Sequence, residues 1–67
     1  MKKKLKSLLN RDPFSAFSLH LTSGQRLPVG DANSMAISPR KNEVVVFTPD
    51  GNFHLVEVSQ IVDLEVA

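Results

Sequence analysis

Apolar and polar residues alternate along most of the chain after Pro13, and this alternation predicts β-strands. Between residues 17 and 22, Phe, Leu and Leu alternate with Ser, His and Thr, a pattern typical of a half-buried strand. Further strand-like segments cover residues 27–29, 35–37, 43–48, 53–58 and 61–66. The clearest turn is Thr48-Pro49-Asp50-Gly51, where proline presets the second position and glycine is free to adopt positive φ. Pro28 cannot donate to a strand ladder, so it marks an edge or a bend.

The segment before Pro13 has a helical period instead. Leu5, Leu8 and Leu9 fall at i, i+3 and i+4, which places them on one stripe of a short helix. Asp12-Pro13 limits this helix, because the residue before proline is pushed out of the helical region. A helix of about two turns is not stable alone in water, so we expect its leucines to dock on the rest of the protein.

The segment Val44–Phe47 is apolar on both faces, and such a strand must be covered on both faces. One face can line the interior of a barrel. The other face then needs either the N-terminal helix together with Phe14, or a second subunit. We therefore predict a mainly β fold: a small, bent, five-stranded antiparallel barrel over residues 14–66 with a short helix within residues 1–12, forming one domain over residues 1–67.

Chain length and cysteine content strengthen the expectation of a partner subunit. The chain has 67 residues, 42% of them hydrophobic, and no cysteine, so disulfides and thiolate metal cages are excluded. A single core of this size rarely supplies more than about 3–5 kcal/mol of stability. An efficient core, self-association or both must make up for this small stability.

Charge divides the chain into two parts. Residues 1–11 contain five basic residues and no acid, whereas residues 12–67 contain three basic and seven acidic residues. The basic segment is either a solvated end or an arm that meets a polyanion. We do not expect it to be a secretory signal, because Lys6, Asn10 and Arg11 interrupt its leucines. No apolar run approaches the ~18 residues of a membrane span, so we expect a cytoplasmic protein that does not bind membranes.

Catalytic and metal-binding patterns are missing from the sequence. His20 and His54 have no accompanying ligands at metal-site spacing, and no Gly-x-Ser-x-Gly or phosphate-loop motif occurs. We predict that the protein is not an enzyme, holds no cofactor and takes no small-molecule substrate. Aromatic side chains can stack on nucleic-acid bases, but all four phenylalanines are predicted to lie in the core.

Two resemblances follow from the order of these elements. Segments 19–27 and 31–37 contain a hydrophobic strand, a glycine turn, a second strand and an aspartate loop before a third strand, which resembles the first half of the Sm-like proteins. Segment 56–64 is similar to their second motif in its apolar positions, although Ser59-Gln60 stands where a basic or polar pair such as Arg-Gly is usual, and Pro28-Val29 where a glycine is usual. This resemblance implies a ring-forming RNA-binding protein whose base-contacting residues lie at Asn33 to Met35, with Ser59-Gln60 opposite.

A closer resemblance is to short bacterial proteins without known activity. They combine a Pro-Phe-x-x-Phe-x-Leu start, here residues 13–19, with Ser-Pro before the central strand and Pro-Asp-Gly after it, here Ser38-Pro39 and Pro49-Asp50-Gly51. This resemblance implies no function.

Three functional hypotheses result. The first is a self-associating binding module, with an oligomer or helix-packing face formed by Leu5, Leu8, Leu9, Val44 and Val46. The second is an Sm-like RNA binder that makes its nucleic-acid contacts through Lys2, Lys3, Lys4, Lys6, Asn33, Met35 and Gln60. The third is a regulatory module that offers an acidic face to a basic protein, suggested by Glu57, Asp63 and Glu65.

Overall fold

A computed structural model describes residues 1–67 as one short helix and six strands. The helix is α1 (Lys2–Leu9). The strands are β1 (Phe17–Leu21), β2 (Arg26–Val29), β3 (Met35–Ile37), β4 (Glu43–Phe47), β5 (Phe53–Glu57) and β6 (Ile61–Val66). A single 3₁₀ turn, Val58–Gln60, connects β5 to β6.

The strands form two antiparallel three-stranded sheets. Sheet I has the order β2-β1-β6, and sheet II has the order β3-β4-β5. The predicted mainly β fold with a leading helix is confirmed, but the predicted number of five strands is wrong. The loop at residues 30–34 separates β2 from β3, and the two strands pair in different sheets. The sheets do not close into one hydrogen-bonded barrel.

The core is a single cluster of eleven buried apolar residues drawn from both sheets and from α1, and no polar side chain is buried in it. Leu5 is fully buried there together with Val44 and Val46 of β4, while Leu8 and Leu9 pack against the cluster. These five side chains therefore form internal helix packing, and none of the three buried ones is open to a second subunit.

The outer face of β4 is not covered by the helix. Of the two covers predicted for this face, the N-terminal helix with Phe14 or a second subunit, the helix is therefore wrong. Val45 is half-buried and Phe47 is 48% exposed, because α1 packs on the inner side of the strand through Leu5. The prediction that all phenylalanines lie in the core is also wrong for Phe47 and Phe53, and Phe53 is 67% exposed.

Two hairpin turns contain the glycines that adopt positive φ. Gly24 and Gly51 both have φ of +88°. The Gly51 N–H donates to the carbonyl of Thr48 at 3.1 Å, and the Gly24 N–H donates to that of Leu21 at 2.9 Å. The turn predicted at residues 48–51 is confirmed, and the same geometry recurs between β1 and β2.

Asp50 organises the tip of the β4–β5 hairpin. Its carboxylate accepts hydrogen bonds from the Thr48 hydroxyl, from the Asn52 backbone N–H at 3.3 Å and from the Asn52 side-chain amide at 3.0 Å. These bonds favour the charged form, and the Thr48 hydroxyl, followed by the Asn52 groups, lowers the pKa of Asp50 below its ordinary value.

The lowered pKa predicts a small pH dependence of stability. A carboxyl group with a folded pKa below its unfolded value stabilises the fold fully above the unfolded pKa, and this contribution is lost as pH falls through the folded pKa. Asp50→Asn should therefore destabilise the protein at pH of about 6 and cost less at pH of about 3. Urea unfolding at the two pH values measures this difference. Asp12→Asn, which changes an exposed carboxylate after α1, is the control, and an equal cost of Asp50→Asn at both pH values would contradict the prediction.

Candidate functional site

β5 is an edge strand of sheet II whose outward peptide groups have no strand partner. The Thr48 N–H donates to the Asn52 carbonyl at 2.9 Å, and the Val58 N–H donates to the Asn42 carbonyl at 2.8 Å. Because hydrogen-bonded pairs alternate along an antiparallel ladder, the even-numbered residues of β5 bond to β4. The N–H and C=O groups of Phe53, Leu55 and Glu57 therefore point away from the sheet.

β6 has the same property at the edge of sheet I. The Ala67 N–H donates to the Ala16 carbonyl at 3.0 Å, which places the following hydrogen-bonded pairs at Glu65 with Ser18 and at Asp63 with His20. The peptide groups of Leu64 and Val66 point outward, and the Leu64 N–H donates to the Asp63 carboxylate at 2.9 Å. Val62 lies where the β1–β6 register shifts, and its side chain is 60% exposed. We call the outward sides of β5 and β6 the open edges.

The other two edge strands are protected. In β2, the Leu21 N–H donates to the Gln25 carbonyl at 2.9 Å, so the ladder to β1 continues through Leu27 and Val29. Pro28 then lies on the side facing away from β1, where its missing N–H removes no ladder bond, and this confirms the prediction that it marks an edge. β3 is only three residues long. Proline and short length are two ways in which proteins prevent pairing at an edge, and neither occurs in β5 or β6. β6 has weaker protection, from Asp63, Glu65 and the register shift, whereas β5 has no charged residue before Glu57.

An exposed apolar surface adjoins the open edge of β5. It consists of Val45 and Phe47 of β4 and of Phe53 and Leu55 of β5, which pair directly across the two strands. Leu55 is 61% exposed, and the rings of Phe47 and Phe53 lie 6.5 Å apart at an angle of 51°. We call these four residues the outer patch. Exposed apolar residues that cluster in this way mark interaction surfaces more often than isolated ones do.

The residues predicted to contact RNA bases lie apart from one another. Asn33 lines a cleft with Ser34 and Phe47, whereas Gln60 lines a different cleft with Gln25 and His54. The Gln60 side chain also accepts a hydrogen bond from the Glu57 N–H at 3.2 Å, which caps the 3₁₀ turn. Met35 is 4% exposed, and its side chain belongs to the core rather than to a surface.

Two turns lie against Val58–Gln60. The first is the β1–β2 turn, whose Thr22 N–H donates to the Gln60 carbonyl at 2.8 Å. The second is the turn between β3 and β4, residues 38–42. Its Asn42 carbonyl accepts the Val58 N–H at 2.8 Å, and its Lys41 carbonyl accepts a hydrogen bond from the Lys2 ammonium at 3.2 Å. Arg40 and Lys41 were not among the residues predicted from the sequence to contact nucleic acid. The sequence did show two adjacent basic residues in a polar turn. That this turn lies close to α1 is known only from the fold.

The outer face of sheet I is polar. Arg26 of β2 forms an ion pair with Glu65 of β6, and the His20 Nε2 lies 3.3 Å from both the Glu65 carboxylate and the Arg26 Nε. Asp63 pairs with His20 across the strands. The suggested acidic face is therefore divided, because Glu57 lies on β5 in sheet II, opposite Glu43, and the charge of Glu65 is balanced by Arg26.

Comparison with protein-family models, with curated proteins and with solved structures found no match to this chain. No group of three or more His, Cys, Asp or Glu side chains is placed to hold a metal ion. No helix has the length and apolar character that crossing a membrane requires. The open edges, the outer patch and the cations around α1 are thus the features from which a function can be argued.

Proposed function

We propose that this chain is a non-enzymatic self-association module in which the open edge of β5 pairs with the open edge of β6 in a second copy. The observation that carries the proposal is the unequal protection of the four edge strands. β2 has Pro28 and β3 is three residues long, whereas β5 and β6 present outward peptide groups without a strand partner beside exposed apolar side chains. Among these groups, only the N–H of Glu57 and the N–H of Leu64 are bonded to side chains, those of Gln60 and Asp63. Pairing of an exposed edge with another chain satisfies those groups.

Charge favours β5–β6 pairing over β6–β6 pairing. In an antiparallel β6–β6 pair centred on Leu64, Asp63 of one copy would face Glu65 of the other, and like charges directly opposite are destabilising. β5 has no carboxylate before Glu57 at its end, so it can face β6 without this repulsion. The outer patch would lie next to the new strand pair and add apolar contact to it.

Single charged substitutions at the two open edges test the proposal. Leu55→Lys in β5 or Val62→Lys in β6 should raise the dissociation constant of the homo-oligomer by ~10-fold or more, since a loss of ~1.4 kcal/mol suffices for this change. Ser7→Lys, which adds the same charge at an exposed position of α1 and on neither open edge, is the matched control and should associate as the original chain does. Light scattering and sedimentation velocity at micromolar concentration measure the assembly state, and circular dichroism confirms that each variant folds.

A mixing experiment distinguishes β5–β6 pairing from pairing of like strands. Each variant retains one working edge, so each alone should associate at least ~10-fold more weakly than the original chain. An equal mixture of Leu55→Lys and Val62→Lys should form a one-to-one pair through the two unchanged edges. Dimerisation of Val62→Lys alone would point to β5–β5 pairing. A strictly monomeric original chain at micromolar concentration would refute self-association altogether.

A second proposal is an Sm-like, ring-forming RNA-binding protein, with the two sheets forming one small bent barrel. The order of β1, the Gly24 turn, β2, the loop containing Asp31 and β3 supports it. Pairing of β5 with β6 is also heterologous, and such an interface produces a ring when its rotation closes. A closed hexamer or heptamer in the same measurements would favour this proposal, whereas a dimer or an open chain would contradict it.

A further inference from the structure

The structure brings together two groups of cations that lie far apart in the sequence. Helix α1 contributes four lysines, and the turn at residues 38–42 contributes Arg40 and Lys41. The hydrogen bond from the Lys2 ammonium to the Lys41 carbonyl, 3.2 Å long, joins the two segments across 39 positions of the chain. We call the combined set the basic surface: Lys2, Lys3, Lys4, Lys6, Arg40 and Lys41.

Both halves of the basic surface are held by the fold. Burial of Leu5 anchors α1, so that Lys3, Lys4 and Lys6 are directed to solvent. In the turn, the Lys41 N–H donates to the Ser38 hydroxyl oxygen at 3.1 Å, and the Ser38 N–H donates to the Glu43 carbonyl at 3.0 Å. The cations therefore project from an ordered platform, and binding a ligand to them requires little additional ordering of the backbone.

The cations of the basic surface outnumber the nearby acids. Residues 2–9 and 38–43 contain six cations and one acid, Glu43, which is half-buried. Two exposed acids lie beside these segments: Glu57, the strand partner of Glu43, and Asp12, which follows α1. The other acids lie in a loop, at a hairpin tip, or on the outer face of sheet I, where Arg26 compensates Glu65. Such a one-sided arrangement attracts a partner of high negative charge density.

The contacts available on the basic surface narrow the choice of polyanion. The leucines of α1 are already packed against the core, so the helix has no free apolar face to insert into a lipid surface. Neither segment contains an aromatic residue, and Phe47 and Phe53 lie at the opposite end of the β4–β5 hairpin. A single strand would thus find no stacking platform here. Contacts to phosphate remain, and a duplex presents them most densely, with one charge per ~1.7 Å of axis.

We propose that the basic surface binds the phosphate backbone of double-stranded nucleic acid without reading its sequence. DNA and RNA duplexes share this chemistry. The lysines of α1 and the Arg40-Lys41 pair would contact phosphates together, so each half should contribute to the salt dependence of binding. This inference is independent of the proposed self-association, because it uses neither open edge.

Fluorescence anisotropy with labelled duplexes at several salt concentrations tests the proposal. The full chain should bind DNA and RNA duplexes of one sequence, and of a scrambled sequence, with affinity that falls steeply with salt. The double variant R40Q/K41Q should reduce the slope of log K against log salt by about 1.8, because each lost phosphate contact contributes about 0.9. The control Arg26→Gln removes an exposed cation on the outer face of sheet I and should leave that slope unchanged.

Four results would overturn the proposal. They are no duplex binding at low salt, tighter binding of single-stranded uridine-rich or adenine-rich RNA than of duplexes, tighter binding of anionic lipid vesicles, and a salt slope in R40Q/K41Q equal to that of the original chain. The last result would leave the helix lysines as the only contacts. Preference for DNA over RNA, or the reverse, identifies which duplex is the source of the phosphates and supports the shared chemistry in either case.

Discussion

Leu5→Ala is expected to leave little or no folded protein at room temperature. Leu5 is fully buried, and it is the only residue of α1 among the eleven buried residues of the core. Truncation of a buried leucine to alanine costs about 2–5 kcal/mol. A core of this size rarely supplies more than about 3–5 kcal/mol in total, so the loss consumes most of the available stability.

Urea unfolding followed by far-ultraviolet circular dichroism measures this effect, at equal protein concentration for every variant because self-association would add to stability. Leu9→Ala is the matched control, since it removes the same atoms from a residue of α1 that is only partly buried. Its unfolding midpoint should lie well above that of Leu5→Ala. Equal midpoints for the two variants would show that α1 is not part of the cooperative core.

Alanine at either positive-φ glycine is expected to produce the second largest loss of stability. Gly24 and Gly51 both have φ of +88°, a conformation that costs residues with a β-carbon about 1–2 kcal/mol. An added β-carbon would meet no atom within 4 Å at either position, so the penalty comes from the backbone conformation alone. The decrease in the free energy of unfolding caused by Gly51→Ala and by Gly24→Ala measures this penalty.

Gly30→Ala provides an internal comparison. Gly30 also has no neighbouring atom within 4 Å of an added β-carbon, but its φ is not positive. The substitution should be neutral or should stabilise by about 0.4–1 kcal/mol, because alanine restricts the unfolded chain. A destabilisation of Gly30→Ala equal to that of Gly51→Ala would mean that the loss has a cause other than positive φ.

Local patterns were sufficient to predict most of the elements. Alternation identified the strands, the leucine spacing identified α1, and Pro49-Asp50-Gly51 identified the hairpin, because each of these signals acts between residues close in sequence. Which face of β4 the helix covers could not be predicted in the same way. Val44 to Phe47 is apolar on both faces, and only the docking of Leu5 on the inner side determines that Phe47 remains exposed.

The candidate surfaces show the same limit. The lysines of α1 were predicted as contacts from charge alone, whereas Arg40 and Lys41 were missed because the Lys2–Lys41 hydrogen bond spans 39 residues. Asn33 and Gln60 were expected to act together, yet they line separate clefts. The open edges likewise depend on strand order, which decides which of the six strands have a neighbour on only one side.

The unequal protection of the edge strands also limits the geometry of any assembly. With β2 protected by Pro28 and β3 by its short length, the proposed pairing gives each copy two connection points, one on β5 and one on β6. Units with a valence of two link only into closed circles or linear chains, and they cannot branch into networks. Under the proposed pairing, Pro28 and the shortness of β3 would therefore keep assembly one-dimensional, and a chain with one blocked edge would act as a terminator of growth.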